Sequence, residues 1–121
     1  MFRPISYTLL ISMLRRRPTA IGSLRGGQSH QGVRGEVLFY DLPMGVFMVV
    51  DVAGLLKDTQ RDYTLCIDGR EDTPIVLPLA ADRAFLAFVS DGFKIEKVIG
   101  RALYLLTAPD HRIACGVIRA T

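Results

Sequence analysis

Between Ala20 and Ile118 the chain runs in stretches of five to ten residues rich in Val, Ile, Phe, Tyr and Leu, divided by short clusters of Gly, Pro and Asp. Runs of that length and composition read as strands, and strands at such close spacing predict an all-β sandwich or barrel. Asp41-Leu42-Pro43-Met44-Gly45 reads as a hairpin turn, with Pro fixing one backbone angle and Gly supplying a permissive one. Gly92 to Val98 is long enough for one helical turn. Ahead of these runs, Tyr7 to Leu14 is apolar but too short to span a bilayer. Its charge, Arg15-Arg16-Arg17, follows rather than precedes it, which is the reverse of a secretory signal, and no small-residue cleavage site is evident. Residues 1–18 are therefore expected to form an N-terminal arm, strand or short helix, ending at Pro18 and packed on a domain formed by residues 19–121. A cytoplasmic location is expected, with export the less favoured reading.

Composition limits the partners. A chain of 121 residues is one domain with one core, and its 50% hydrophobic content suits a well-filled interior. The net charge of +3 and pI near 9.1 come far more from Arg than from Lys. Apart from Arg15-Arg16-Arg17 these residues are scattered, and no zinc finger or aromatic RNA-binding motif accompanies them, so a solvated surface is expected and not a nucleic-acid interface. No membrane span is expected.

Candidate chemistry is sparse. Copper and zinc sites of the redox-cycling kind need three or four converging imidazole or carboxylate ligands. The chain holds only His30 and His111, with no His-x-His, so no metal cofactor is expected, although a weak site using both histidines and a carboxylate stays open. Ser23, Ser29 and Ser90 lack a Gly-x-Ser-x-Gly setting, and Gly22, Gly26, Gly27 and Gly32 read as strand ends and turns, not a phosphate loop. Asp68, Glu71, Asp72, Asp82 and Asp91 fall near predicted turns, where Asp bonds its own backbone. Cys66 and Cys115 sit in apolar runs and are expected to be reduced, slow-reacting structural thiols.

Val98-Ile99-Gly100-Arg101 and Arg112-Ile113-Ala114-Cys115-Gly116-Val117-Ile118 resemble the last two strands of the copper/zinc superoxide dismutase family. Ala20 to Gly26 looks like its first strand, Gly32 to Tyr40 its second, and Val46 to Leu55 its third with the closing Gly-Leu. Tyr63-Thr64-Leu65-Cys66-Ile67-Asp68-Gly69 stands where the family has Gly-Phe-His-x-His-Glu, and Pro74–Leu79 and Arg83–Val89 would be strands five and six. The resemblance implies an eight-stranded Greek-key barrel or sandwich with a short N-terminal arm, and Gly92 to Val98 as a loop crossing the barrel end.

It also implies a loss of chemistry. The copper-histidine positions fall on Leu65, Ile67 and Leu106, only Arg70-Glu71-Asp72-Thr73 replaces the long zinc loop, and Ala108-Pro109-Asp110-His111 replaces the Gly-Asn-x-Gly before the final Arg. Arg112 matches the arginine that guides superoxide, and without copper an ion pair, with Asp110 as candidate, is its expected role. The family's outward-facing ligands imply that Leu65, Ile67, Tyr104 and Leu106 form an outer apolar contact patch and that Cys66 faces the interior. The expected function is that of a non-catalytic, cofactor-free pseudoenzyme acting by binding or assembly, as a homo-oligomer or with another protein. The alternatives are a degenerate dismutase with residual metal activity and a partner-binding module using the former metal face.

Overall fold

The computed structural model describes residues 2–3, 8, 11–12, 15–55, 63–69, 74–107 and 111–121. They form ten strands: β1 (Phe2–Arg3), β2 (Ala20–Gly26), β3 (Arg34–Leu42), β4 (Gly45–Ala53), β5 (Tyr63–Ile67), β6 (Ile75–Val76), β7 (Leu79–Ala80), β8 (Arg83–Ser90), β9 (Ala102–Thr107) and β10 (His111–Ala120). Two 3-10 turns, Gln28–His30 and Ile95–Lys97, lie between strands. Every pairing is antiparallel, as adjacent strands joined by short turns allow. The ladder runs β1-β8-β4-β3-β2-β10-β9-β5-β6, with β7 as a further partner of β8, and curls into a half-barrel.

The expected hairpin closes more tightly than its sequence suggests, because β3 and β4 stay in register to Leu42↔Gly45 and leave only Pro43 and Met44 in the turn. The expected fifth strand over 74–79 is broken into β6 and β7. Pro74 and Pro78 have no N–H to give a ladder, so continuous pairing fails there. The Leu77 N–H between the fragments donates to the Tyr63 carbonyl at 2.9 Å. Through β6 this segment bonds to β5, and through β7 it bonds to β8, so it touches both halves of the ladder. The stretch expected as a crossing loop holds the 3-10 turn Ile95–Lys97, which buries Ile95 and Val98 in the core.

Alternation builds that core. Along β9, Leu103 and Leu105 are fully buried, while Ala102, Tyr104 and Leu106 on the other face are half-buried. Val37 and Phe39 of β3, Met48, Val50 and Val52 of β4, Leu65 of β5 and Ile118 of β10 join them. A second apolar cluster, Tyr40, Phe47, Val49 and Val89, occupies the opposite face of β3, β4 and β8. Strand β4 is thus buried on both faces, which explains its near-continuous hydrophobic sequence. Part of the N-terminal arm also belongs to the sheet: Phe2 and Arg3 pair with Ser90 and Val89. At the arm's other end the Thr19 N–H donates to the Phe39 carbonyl at 2.7 Å.

Candidate functional site

The proposed contact patch divides between the two faces of the sheet. Leu65 and Ile67 point inward, 0% and 5% exposed, opposite Leu105 and Leu103. The expectation that they lie on the outer face is therefore corrected, and so is the inward facing expected of Cys66. Side chains alternate along β5, so the burial of Leu65 and Ile67 against Leu105 and Leu103 turns the residues between them to the other face. Thr64 and Cys66 are the residues of β5 that face outward, opposite Leu106 and Tyr104. Tyr104 and Leu106 do face outward, as expected, and are half-buried there.

Two cross-strand rows make up this outer face. Val76, Thr64, Leu106 and Arg112 form one, and Cys66, Tyr104, Cys115 and Arg25 the other. A β-bulge shifts the β10 register between Arg112 and Ala114, so Ile113 and Ala114 are both buried while Arg112 and Cys115 stay outside. Arg112 stacks on Tyr104, its guanidinium carbon 3.9 Å from the ring centroid, a cation–π contact. Asp110 lies outside the described residues, as do Arg70 to Thr73 of the shortened loop. Val76, 62% exposed at the end of the row, was not singled out from the sequence, although alternation along the 74–79 run points to it.

Neither cysteine is in a disulfide; Cys66 is buried and Cys115 exposed, which corrects the expectation of two sheltered thiols. Tyr104 lies directly between them in the ladder. Two strand spacings set their backbones about 9.5 Å apart, beyond the reach of about 7 Å that a disulfide allows.

Further round the sheet, Arg25, Arg34, Glu36, Asp51 and Arg83 line an open polar groove. There Arg83 holds Asp51 through two bonds of 3.0 Å, and that contact raises the Arg83 pKa. Burial pushes the Tyr40 phenol up from its ordinary value.

At the end of the barrel the only two histidines come together. The His30 and His111 ring centroids are 5.9 Å apart, with the rings tilted by 57°. Nothing in their sequence spacing suggests this pairing. Among the described residues no group of three or more His, Cys, Asp and Glu converges. No helix of the described residues is long and apolar enough to cross a membrane. No family model matches the chain, and no curated protein matches it.

Proposed function

We propose that the chain is a superoxide dismutase-like barrel without the dismutase's copper and zinc chemistry, acting by binding or assembly through the outer face of β6, β5, β9 and β10. The observation carrying this reading is the chemistry of that face. The positions where the resemblance calls for imidazoles hold Leu65, Ile67 and Leu106, of which Leu106 alone faces outward, and beside it the outward residues of β5 are Thr64 and Cys66, flanked by Tyr104 and Val76. One hydroxyl, one thiol and an aliphatic group do not make the nitrogen-rich site that a redox-cycling copper requires. They do make a mixed apolar surface with an aromatic anchor and a stacked arginine, a composition enriched at protein contacts.

The sheet order supports the family reading. Connections β4 to β5 and β8 to β9 each cross from the β8-β4-β3-β2 half of the ladder to the β10-β9-β5 half. Such non-sequential neighbours are what a Greek-key arrangement requires.

The test combines an assay with a sizing measurement. Dismutation by the copper-treated protein should not exceed that of a heat-killed control. In size-exclusion chromatography the chain should elute above its 13.4 kDa monomer mass, and Leu106→Asp should return it to the monomer position. A monomeric wild-type chain moves the reading to a partner-binding module, and copper-dependent turnover overturns it in favour of a degenerate dismutase.

A further inference from the structure

We propose that the polar groove across β2, β3 and β4 binds a small phosphomonoester with a hydroxylated body, of the sugar-phosphate class, its phosphate held between Arg25 and Arg34. This site lies beyond the proposed contact face of β6, β5, β9 and β10 and does not depend on that reading.

Charge placement is the first argument. Arg25 of β2 stands directly opposite Arg34 of β3. The adjoining pair, Gly26 and Val33, is a hydrogen-bonded one, its Gly26 N–H donating to the Val33 carbonyl at 2.8 Å. Pair types alternate along an antiparallel ladder, so Arg25 and Arg34 form a non-hydrogen-bonded pair, the kind whose side chains stand closer. Their Cβ atoms are thus about 4.5–5.5 Å apart, and like charges placed so destabilise a sheet. Both side chains are exposed, and among the described residues neither has a carboxylate partner.

The nearby carboxylates do not relieve this pair. Asp51 is taken by Arg83 through two bonds of 3.0 Å. Glu36 lies opposite both Ser23 and Asp51, two residues along β3 from Arg34, and forms no ion pair among the described residues. The face is therefore segregated by sign, with arginine opposite arginine in one cross-strand row and glutamate opposite aspartate in the next. Alternating signs would stabilise the sheet instead, and sequences give up such local stability chiefly at functional sites.

The lining sets the ligand class. The groove holds about 630 Å³ and is open to solvent, within the range of about 300–1,000 Å³ that small-molecule sites occupy. Two guanidinium forks match the charge of a phosphomonoester, which is close to a dianion at neutral pH, and bond its oxygens in pairs. Ser23 and Gln31 add a neutral hydroxyl and amide to the lining, and Ala53, between Arg34 and Arg83 in the ladder, keeps the floor low. Glu36, an acceptor when ionised, stands about 6.5 Å along the strand from Arg34, where it can accept from hydroxyls of the ligand body and repel a second phosphate.

The test titrates the full chain with glucose 6-phosphate by calorimetry at low ionic strength, where exposed charges are least screened. One molecule should bind per chain, inorganic phosphate should compete but bind more weakly, and glucose should not bind. Arg25→Gln and Arg34→Gln should each weaken binding about tenfold. Arg119→Gln, which makes the same change of charge outside the groove, should leave binding unchanged. Both groove variants should melt no lower than the wild type, because each removes a like-charge contact, and this separates lost binding from lost fold. Equal weakening in all three variants, no binding at millimolar glucose 6-phosphate, or inorganic phosphate binding as tightly as the sugar phosphate overturns the proposal. So does tighter binding of a phosphoserine peptide, which assigns the groove to a protein partner.

Discussion

At the scale of single residues, burial and reactivity make direct predictions. Tyr40 is raised above its unfolded value of 10.0 because the fold desolvates its phenol. The folded state therefore holds the proton more tightly than the unfolded state does. The corresponding stability is complete below pH 10.0 and is lost as pH rises through the folded value. Chemical denaturation followed from pH 8 to pH 11 should show this loss, and Tyr40→Phe should flatten the curve in that window. The thiols should behave unequally. A thiol reagent should modify Cys115 in the native protein and Cys66 only on unfolding, because one is exposed and the other buried. Equal rates for the two would contradict the burial of Cys66.

At the scale of elements, alternation in β5 and β9 is open to a paired test. Ile67→Asp places a carboxylate among Leu103 and its neighbours and should cost on the order of 4 kcal/mol or more. Leu106→Asp, on the half-exposed outer face, should change monomer stability by about 1 kcal/mol or less, whatever it does to assembly. Denaturant midpoints of the two variants falling together would refute the assigned faces. Gly54 provides a second element test, since its φ of +80° and the carbonyl of Gly32 against its missing Cβ leave no room for a side chain. Gly54→Ala should cost roughly 1–3 kcal/mol through backbone strain and displace the Gly32–Val33 backbone packed against it.

The all-β class and most strand positions were legible in the sequence, because strands of five or more residues between turn-forming clusters leave a strong pattern. The Asp41–Gly45 hairpin was legible for the same reason. The face of β5 was not, since Tyr63-Thr64-Leu65-Cys66-Ile67 has apolar or ambivalent residues at nearly every position and period two offers no contrast. The second cluster at Phe47 and Val49 was hidden likewise: β4 is apolar on both faces, and one face alone accounts for its sequence. The His30–His111 encounter was out of reach, because it depends on how the Gln28–His30 turn folds back toward β10.

At the scale of the whole molecule, the central seam of the ladder joins distant parts of the chain. Strand β2 pairs with β10 from Ala20↔Ala120 to Gly26↔Ala114, and β10 also pairs with β9. Contacts so far apart in sequence form slowly, on the millisecond-to-second scale of β-rich folds, whereas the β2–β3–β4 hairpins can form locally. Stopped-flow refolding should accordingly be slow, and weakening the seam with Ile118→Ala should cost on the order of 2–5 kcal/mol, since that side chain is fully buried. The same seam has a meaning for synthesis on the ribosome. Until β10 emerges, β2 and β9 both present open hydrogen-bonding edges, the kind of surface on which nascent chains stick to one another. The chain is thus most exposed to misassembly just before its tenth strand is translated, and that interval is when a chaperone that shields strand edges would matter most.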